Sequence, residues 1–116
     1  MDSFKFGFKE GDLEFIINEL RKFPQIEKGI IFGSRAKGNY QQGSDVDIAI
    51  VCKDKNIAGK ISFILNEDSP LPYKFDVLDY NSISHQDLIE QINRIGIVFY
   101  SRNEEINPES AIVNQS

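Results

Sequence analysis

Asp45 and Asp47 stand two positions apart in the run IIFGSRAKGNYQQGSDVDIAI, residues 30–50. Successive side chains of a strand point to opposite faces, so the two acids share one face, roughly 6–7 Å apart at the backbone. Val46, Ile48 and Ile50 take the other face and point into a core. Neighbouring carboxylates repel and stay ionised only where a cation or donors compensate them. A hard divalent cation such as Mg²⁺ suits them, because it takes oxygen ligands and substrate phosphates. Upstream, an apolar strand runs into Gly33-Ser34-Arg35. Where a strand meets a helix N-terminus, free backbone N–H groups and the helix dipole favour an anion. Glycine allows close approach, the Ser34 hydroxyl adds a donor, and Arg35 adds a cation.

Each half also has an ordinary reading. Gly-Ser is a common tight turn with a capping serine, and alternate acids often mark only a wet strand face. The flank weighs against the second, since Ile48 to Val51 is apolar and acids at the mouth of a buried strand need compensation. A third acid, Asp76, lies in Tyr73-Lys74-Phe75-Asp76-Val77-Leu78-Asp79. If this strand lies beside the one carrying Asp45 and Asp47, Asp76 reaches the same site. Asp79, at odd spacing, falls on the opposite face and reads as solvated or as a cap.

The elements that must position these residues follow from pattern. Leu13, Ile16, Ile17, Leu20 and Phe23 recur at helical spacing, which predicts a helix over 12–23 with Asp12 as N-cap and Pro24 beyond its end. Residues 28–33 read as the first strand, ended by Gly33. Ser34 caps a short helix that stops at Gly38. Residues 39–43 form a polar loop, and 45–52 the second strand. A helix follows over 55–66, with Ile57, Ile61, Ile64 and Leu65 inward. Residues 67–72 are a breaker-rich turn, and 73–80 the third strand. Ser84 caps a helix through Arg94, stopped by Gly96, and 97–100 form a short apolar run that suits a fourth strand. The fold class is therefore α+β, a small mixed β-sheet of three to four strands flanked by helices, with the helices expected on one side. Residues 1–102 read as one domain and 103–116 as a flexible polar tail.

Size and composition agree. A chain of 116 residues with 41% hydrophobic and 27% charged residues suits one globular domain. No apolar run approaches the ~20 residues of a membrane span, and the N-terminus lacks a signal pattern. The single cysteine, Cys52, reads as a packing residue in a reducing compartment. These features predict a cytoplasmic protein. The net charge of −5 and the absence of a Lys/Arg cluster longer than two residues argue against gripping long nucleic acid. A nucleotide remains open, because a metal can neutralise it.

Together, Gly33-Ser34-Arg35-Ala36-Lys37-Gly38, then Ser44-Asp45-Val46-Asp47-Ile48, then Asp76 in FDVLD resemble the minimal nucleotidyltransferase family of the polymerase-β-like superfamily, over roughly residues 10–100. The resemblance implies the nucleotidyltransferase fold, with Asp45, Asp47 and Asp76 as catalytic and metal-binding residues. Gly33, Ser34, Arg35 and Ser44 would bind the nucleotide. It implies a two-metal Mg²⁺ site and transfer of a nucleoside monophosphate, AMP from ATP, to a hydroxyl. It implies a partner as well: stand-alone proteins of this size are commonly paired with a helical HEPN-domain protein, often a toxin RNase, and in several such pairs the nucleotidyltransferase acts as antitoxin by adenylylating a tyrosine of its partner. Two alternatives stay open: a contact-only binding module, and a transferase acting on a small molecule such as an antibiotic. A homodimer or hetero-oligomer fits a chain with no second lobe.

Docking on a partner predicts an exposed apolar patch. Phe4, Phe6 and Phe8 are candidates, with an edge strand or core lid as the other reading, and so are Phe99 and Tyr100. His85 reads as a surface or capping residue. Tyr40 reads either as a stacking platform for a base or as an ordinary loop aromatic.

Overall fold

A computed structural model describes residues 6–41 and 43–102. Phe4 and the predicted tail over 103–116 lie outside the described residues. The elements run in the order α1 (Asp12–Arg21), β1 (Ile26–Phe32), α2 (Ser34–Lys37), β2 (Val46–Cys52), α3 (Ile57–Phe63), a π-helical turn (Ile64–Asp68), β3 (Phe75–Asp79), a 3₁₀ turn (Tyr80–Ser82), α4 (Gln86–Ile95) and β4 (Ile97–Ser101). The strands form one mixed sheet in the order β3-β2-β1-β4. β1 pairs antiparallel with both β2 and β4. β2 and β3 are parallel, and the chain between them crosses over through α3, as a parallel pair requires. The apolar run over 97–100 is therefore a true fourth strand.

The alternation along β2 divides the core in two. Val46, Ile48, Ile50 and Cys52 are buried on one face, against Ile16 and Leu20 of α1 and Ile57 and Ile61 of α3. Ala49 faces the other way and packs with Phe32, Leu78 and Ile92 of α4. Helices thus cover both faces, not the single face expected. The reason is that α4 carries its own apolar stripe, Leu88 and Ile92, which a sheet covered on one side would leave wet.

Several predicted caps move. Gly11, in a left-handed conformation (φ 89°), takes the N-cap position of α1. Asp12 instead begins the helix and accepts hydrogen bonds from the Lys9 N–H and the Tyr73 hydroxyl. His85, exposed, takes the N-cap position of α4 in place of Ser84. Asn66 clamps the start of β3, accepting from the Phe75 N–H at 2.8 Å and donating to the Phe75 carbonyl at 3.0 Å.

The aromatic docking candidates are internal. Phe6 and Phe8 are 7% and 1% exposed and lie in the main core, so the core-lid reading holds for them. Tyr100 is buried and Phe99 half-buried, because β4 turns them towards the core. Ile97 and Val98 are the exposed apolar residues of that strand. Cys52 is a buried free thiol, and burial pushes its pKa up.

Ile48 is fully buried at the centre of β2, between β1 and β3. Ile48→Ala should destabilise the protein by about 3 kcal/mol, the cost of a core cavity, as read by urea unfolding.

Candidate active site

The sheet assembles two of the three acids, Asp47 and Asp76. β2 and β3 run in parallel with Asp47 directly opposite Asp76, so their side chains leave the same face of adjacent strands, about 4.8 Å apart at the backbone. Asp45 lies one residue before β2 and is exposed, as is Asp76, whereas Asp47 is half-buried. On its other side Asp47 pairs with Phe32, the last residue of β1. The next residue is Gly33, with φ 75°. A side chain there would strike the Asp47 carboxylate. Glycine is required at this corner twice over: for the backbone conformation and for the space the carboxylate occupies.

Gly33 is also the N-cap of α2, so Ser34 is the first helical residue and not the cap expected of it. The first internal bond of α2 runs from the Lys37 N–H to the Gly33 carbonyl at 3.1 Å. The N–H groups before Lys37 have no acceptor within the helix. Gly38, in the left-handed region (φ 89°), closes α2.

Burial raises the pKa of Asp47, and the charges of Asp76 and Asp45 raise it further. The three carboxylates therefore share one electrostatic environment. Among the described residues, none of them has a hydrogen-bond or salt-bridge partner. Among the described residues, no group of three or more His, Cys, Asp or Glu side chains is drawn close enough to hold a metal ion as it stands. The donor set nonetheless fits a hard divalent cation. It is all oxygen, Asp47 is paired with Asp76 and feels the charge of Asp45, and mutual repulsion is what such an ion relieves.

Arg35 and Ser44 are placed differently from the sequence expectation. Arg35 is 4% exposed. Its guanidinium donates to the Ser44 carbonyl from Nε (3.2 Å) and Nη2 (2.8 Å), and to the Phe6 carbonyl from Nη1 (2.8 Å). The Ser44 hydroxyl accepts from the Gln41 N–H at 2.9 Å. Both residues are engaged in shaping the loop ahead of Asp45. Tyr40 rests over the Arg35 guanidinium, 5.3 Å from its ring centroid. Nothing in the local run GSRAKG marks Arg35 as buried, because its partners come from sequence positions as distant as Phe6 and Tyr73. Asp79 stands at the N-cap position of the 3₁₀ turn without a side-chain cap bond, and its carboxylate accepts instead from the Ser82 hydroxyl.

Comparison with known proteins places this geometry. A profile of the family described as "Polymerase beta, Nucleotidyltransferase" matches residues 14–105. The chain belongs to the polymerase β nucleotidyltransferase family. Enzymes of this family generally use divalent metals. Among curated relatives, this nucleotidyltransferase is 27% identical over 88 residues to the Haemophilus influenzae "Probable protein adenylyltransferase MntA", spanning 70% of this chain and 72% of the relative. Among solved structures it superposes on a toxin–antitoxin crystal structure with AMP-PNP (TM-score 0.66, 24% identity, 90% of this chain and 97% of the other). It also superposes on a chain from the complex of a tri-AMPylated Shewanella oneidensis HEPN toxin with its MNT antitoxin (TM-score 0.55, 20% identity, 89% and 97%). These two likenesses establish the nucleotidyltransferase fold. Among the described residues, no helix is long and apolar enough to cross a membrane.

The raised pKa of Asp47 has a defined consequence for stability. The folded nucleotidyltransferase holds the Asp47 proton more tightly than the unfolded chain does, so ionisation destabilises the fold. The penalty is absent below the ordinary value of 3.8 and grows as pH rises through the raised value. Asp47→Asn should therefore raise Tm at pH 7 in chelator-treated buffer, with the difference from wild type closing towards pH 3.8. An unchanged Tm at pH 7 would show that the carboxylate is not under strain.

Proposed function

We propose that the protein transfers AMP from ATP to a tyrosine hydroxyl of a HEPN-type partner, and so acts as the antitoxin of a toxin–antitoxin pair. The reading rests above all on the direct pairing of Asp47 with Asp76 across β2 and β3, beside the Gly33 corner. The relative named as a protein adenylyltransferase and the AMPylated HEPN toxin bound to a protein of the same fold support the nucleotide and the acceptor. The unpaired acids suit a contact-only module poorly, since such a module has no use for clustered uncompensated charge.

In this reading Asp45, Asp47 and Asp76 would hold two Mg²⁺ ions. When bound, such ions would neutralise the triphosphate and lower the pKa of the acceptor hydroxyl. Gly33 and Ser34 receive the phosphates on the N–H groups that open α2, and the absence of a Gly33 side chain lets them approach. Asp76, exposed at the edge of the sheet, takes the proton of the tyrosine hydroxyl. The tyrosine oxygen forms a bond to the α-phosphorus, the bond from that phosphorus to the β-bridging oxygen breaks, and pyrophosphate leaves. Positioning and charge stabilisation supply most of the acceleration in such a transfer. Ser44 belongs to this site through the loop it closes before Asp45. We assign the whole reaction to the domain over residues 1–102 and to the cytoplasm, where ATP is available and the free Cys52 thiol stays reduced.

With ³²P-α-ATP, Mg²⁺ and a HEPN-type partner, label should appear on a partner tyrosine. The double variant Asp45→Asn with Asp47→Asn should remain folded and lose transfer by roughly 10²–10³-fold or more. Tight partner binding with no label under any divalent ion would leave the contact-only module standing. Label on an added antibiotic, with none on protein, would assign the small-molecule reaction.

A further inference from the structure

Asp47 and Asp76 are fixed by the sheet. Asp47 sits inside the ladder with Phe32 on one side and Asp76 on the other. Asp45 is not in the ladder. It precedes β2 and follows a polar loop that begins at Gly38 and passes Gly43, both with positive φ. Strand pairing therefore does not set its position.

Hydrogen bonds to the backbone on each side of it do. The Val46 N–H donates to the Lys74 carbonyl at 2.9 Å, tying the residue after Asp45 to the segment leading into β3. The Ser44 carbonyl, immediately before Asp45, accepts both the Nε and Nη2 hydrogens of Arg35. Such a fork fixes the direction of approach as well as the distance. The guanidinium is itself held independently of that loop. Its third bond goes to the Phe6 carbonyl, and its central carbon lies 5.7 Å and 5.2 Å from the Phe8 and Tyr73 ring centroids. Phe8 is buried in the core, and Tyr73 is tied to Asp12 at the start of α1. A buried guanidinium in this position is stable because carbonyls and ring faces satisfy it.

We infer that Arg35 is a positioning residue for Asp45: it sets the metal-binding carboxylate in place through the Ser44 carbonyl. The inference rests on the reading of Asp45 as a ligand of the divalent ion. It replaces the role of phosphate contact that the sequence suggests for Arg35. Lysine cannot substitute, because a single ammonium lacks the fork. Groups that orient a metal ligand typically change metal affinity by about 10–100-fold when removed.

The test uses Mn²⁺ alone, titrated by electron paramagnetic resonance into the protein without nucleotide, so that a phosphate contact has no effect on the readout. Arg35→Lys, which keeps the charge, and Arg35→Met, which keeps the straight stem under the rings, should each weaken Mn²⁺ binding by about tenfold. In an Asp45→Asn background the same substitutions should have no further effect. Coupling is reciprocal, so in the wild-type protein Mg²⁺ should slow hydrogen exchange at the Arg35 Nε–H, and in Asp45→Asn it should not. That measurement decides the matter even if neither Arg35 variant folds. If Asp45→Asn weakens Mn²⁺ binding while the folded Arg35 variants do not, or if Mg²⁺ leaves Arg35 exchange unchanged in wild type, the positioning role is wrong and the metal reading stands. If Asp45→Asn itself leaves Mn²⁺ affinity unchanged, both are wrong.

Discussion

Carboxylate repulsion across one parallel strand pair is the constraint around which this small fold is arranged. Bringing Asp47 opposite Asp76, half-buried and beside a third acid, raises the free energy of the ionised form. The hydrophobic packing of β2 holds it there. Val46, Ile48 and Ile50 are fully buried on the reverse face, so slipping the strand by one residue to separate the charges would turn those side chains out of the core. The core thus maintains an electrostatic arrangement that the acids alone would not adopt. Clusters of groups with strongly perturbed environments gather at functional sites for this reason.

Gly33 joins the two halves of the motif more tightly than either suggests alone. In sequence it is the turn residue that ends a strand. In the fold it is the empty space that Asp47 occupies and the left-handed corner that starts α2. The separation between the Gly-Ser turn and the Asp-Val-Asp strand is then a geometric necessity: β1 must turn, and the chain must return antiparallel far enough for residue 47 to lie beside residue 32. The loop that makes this return is closed by Ser44 and Gln41. Arg35 secures it from below.

The expectations that failed did so where distant parts of the chain compete for one group. Asp12 looks like an N-cap, but Tyr73, 61 residues away, engages its carboxylate, and Gly11 takes the cap. Phe6 and Phe8 look like a sticky patch, because alternating aromatics near a terminus carry no sign of what covers them. They prove to be walls of the Arg35 site and of the core. Phe99 and Tyr100 turn inward on β4, which leaves Ile97 and Val98 as its exposed apolar pair.

Local pattern was enough for the element order, the buried face of β2, and the resemblance that named the family. All of these depend on periodicity or on residues within a few positions of one another, where backbone geometry admits few solutions. Three things needed the folded chain: that β3 lies beside β2 and in a register that opposes Asp76 to Asp47, that α4 covers the second face of the sheet, and that Arg35 is buried against Phe8 and Tyr73. Each is a contact between segments far apart in sequence. Such contacts are selected by the packing of the whole core, and the residues that make them carry no local mark of their partner.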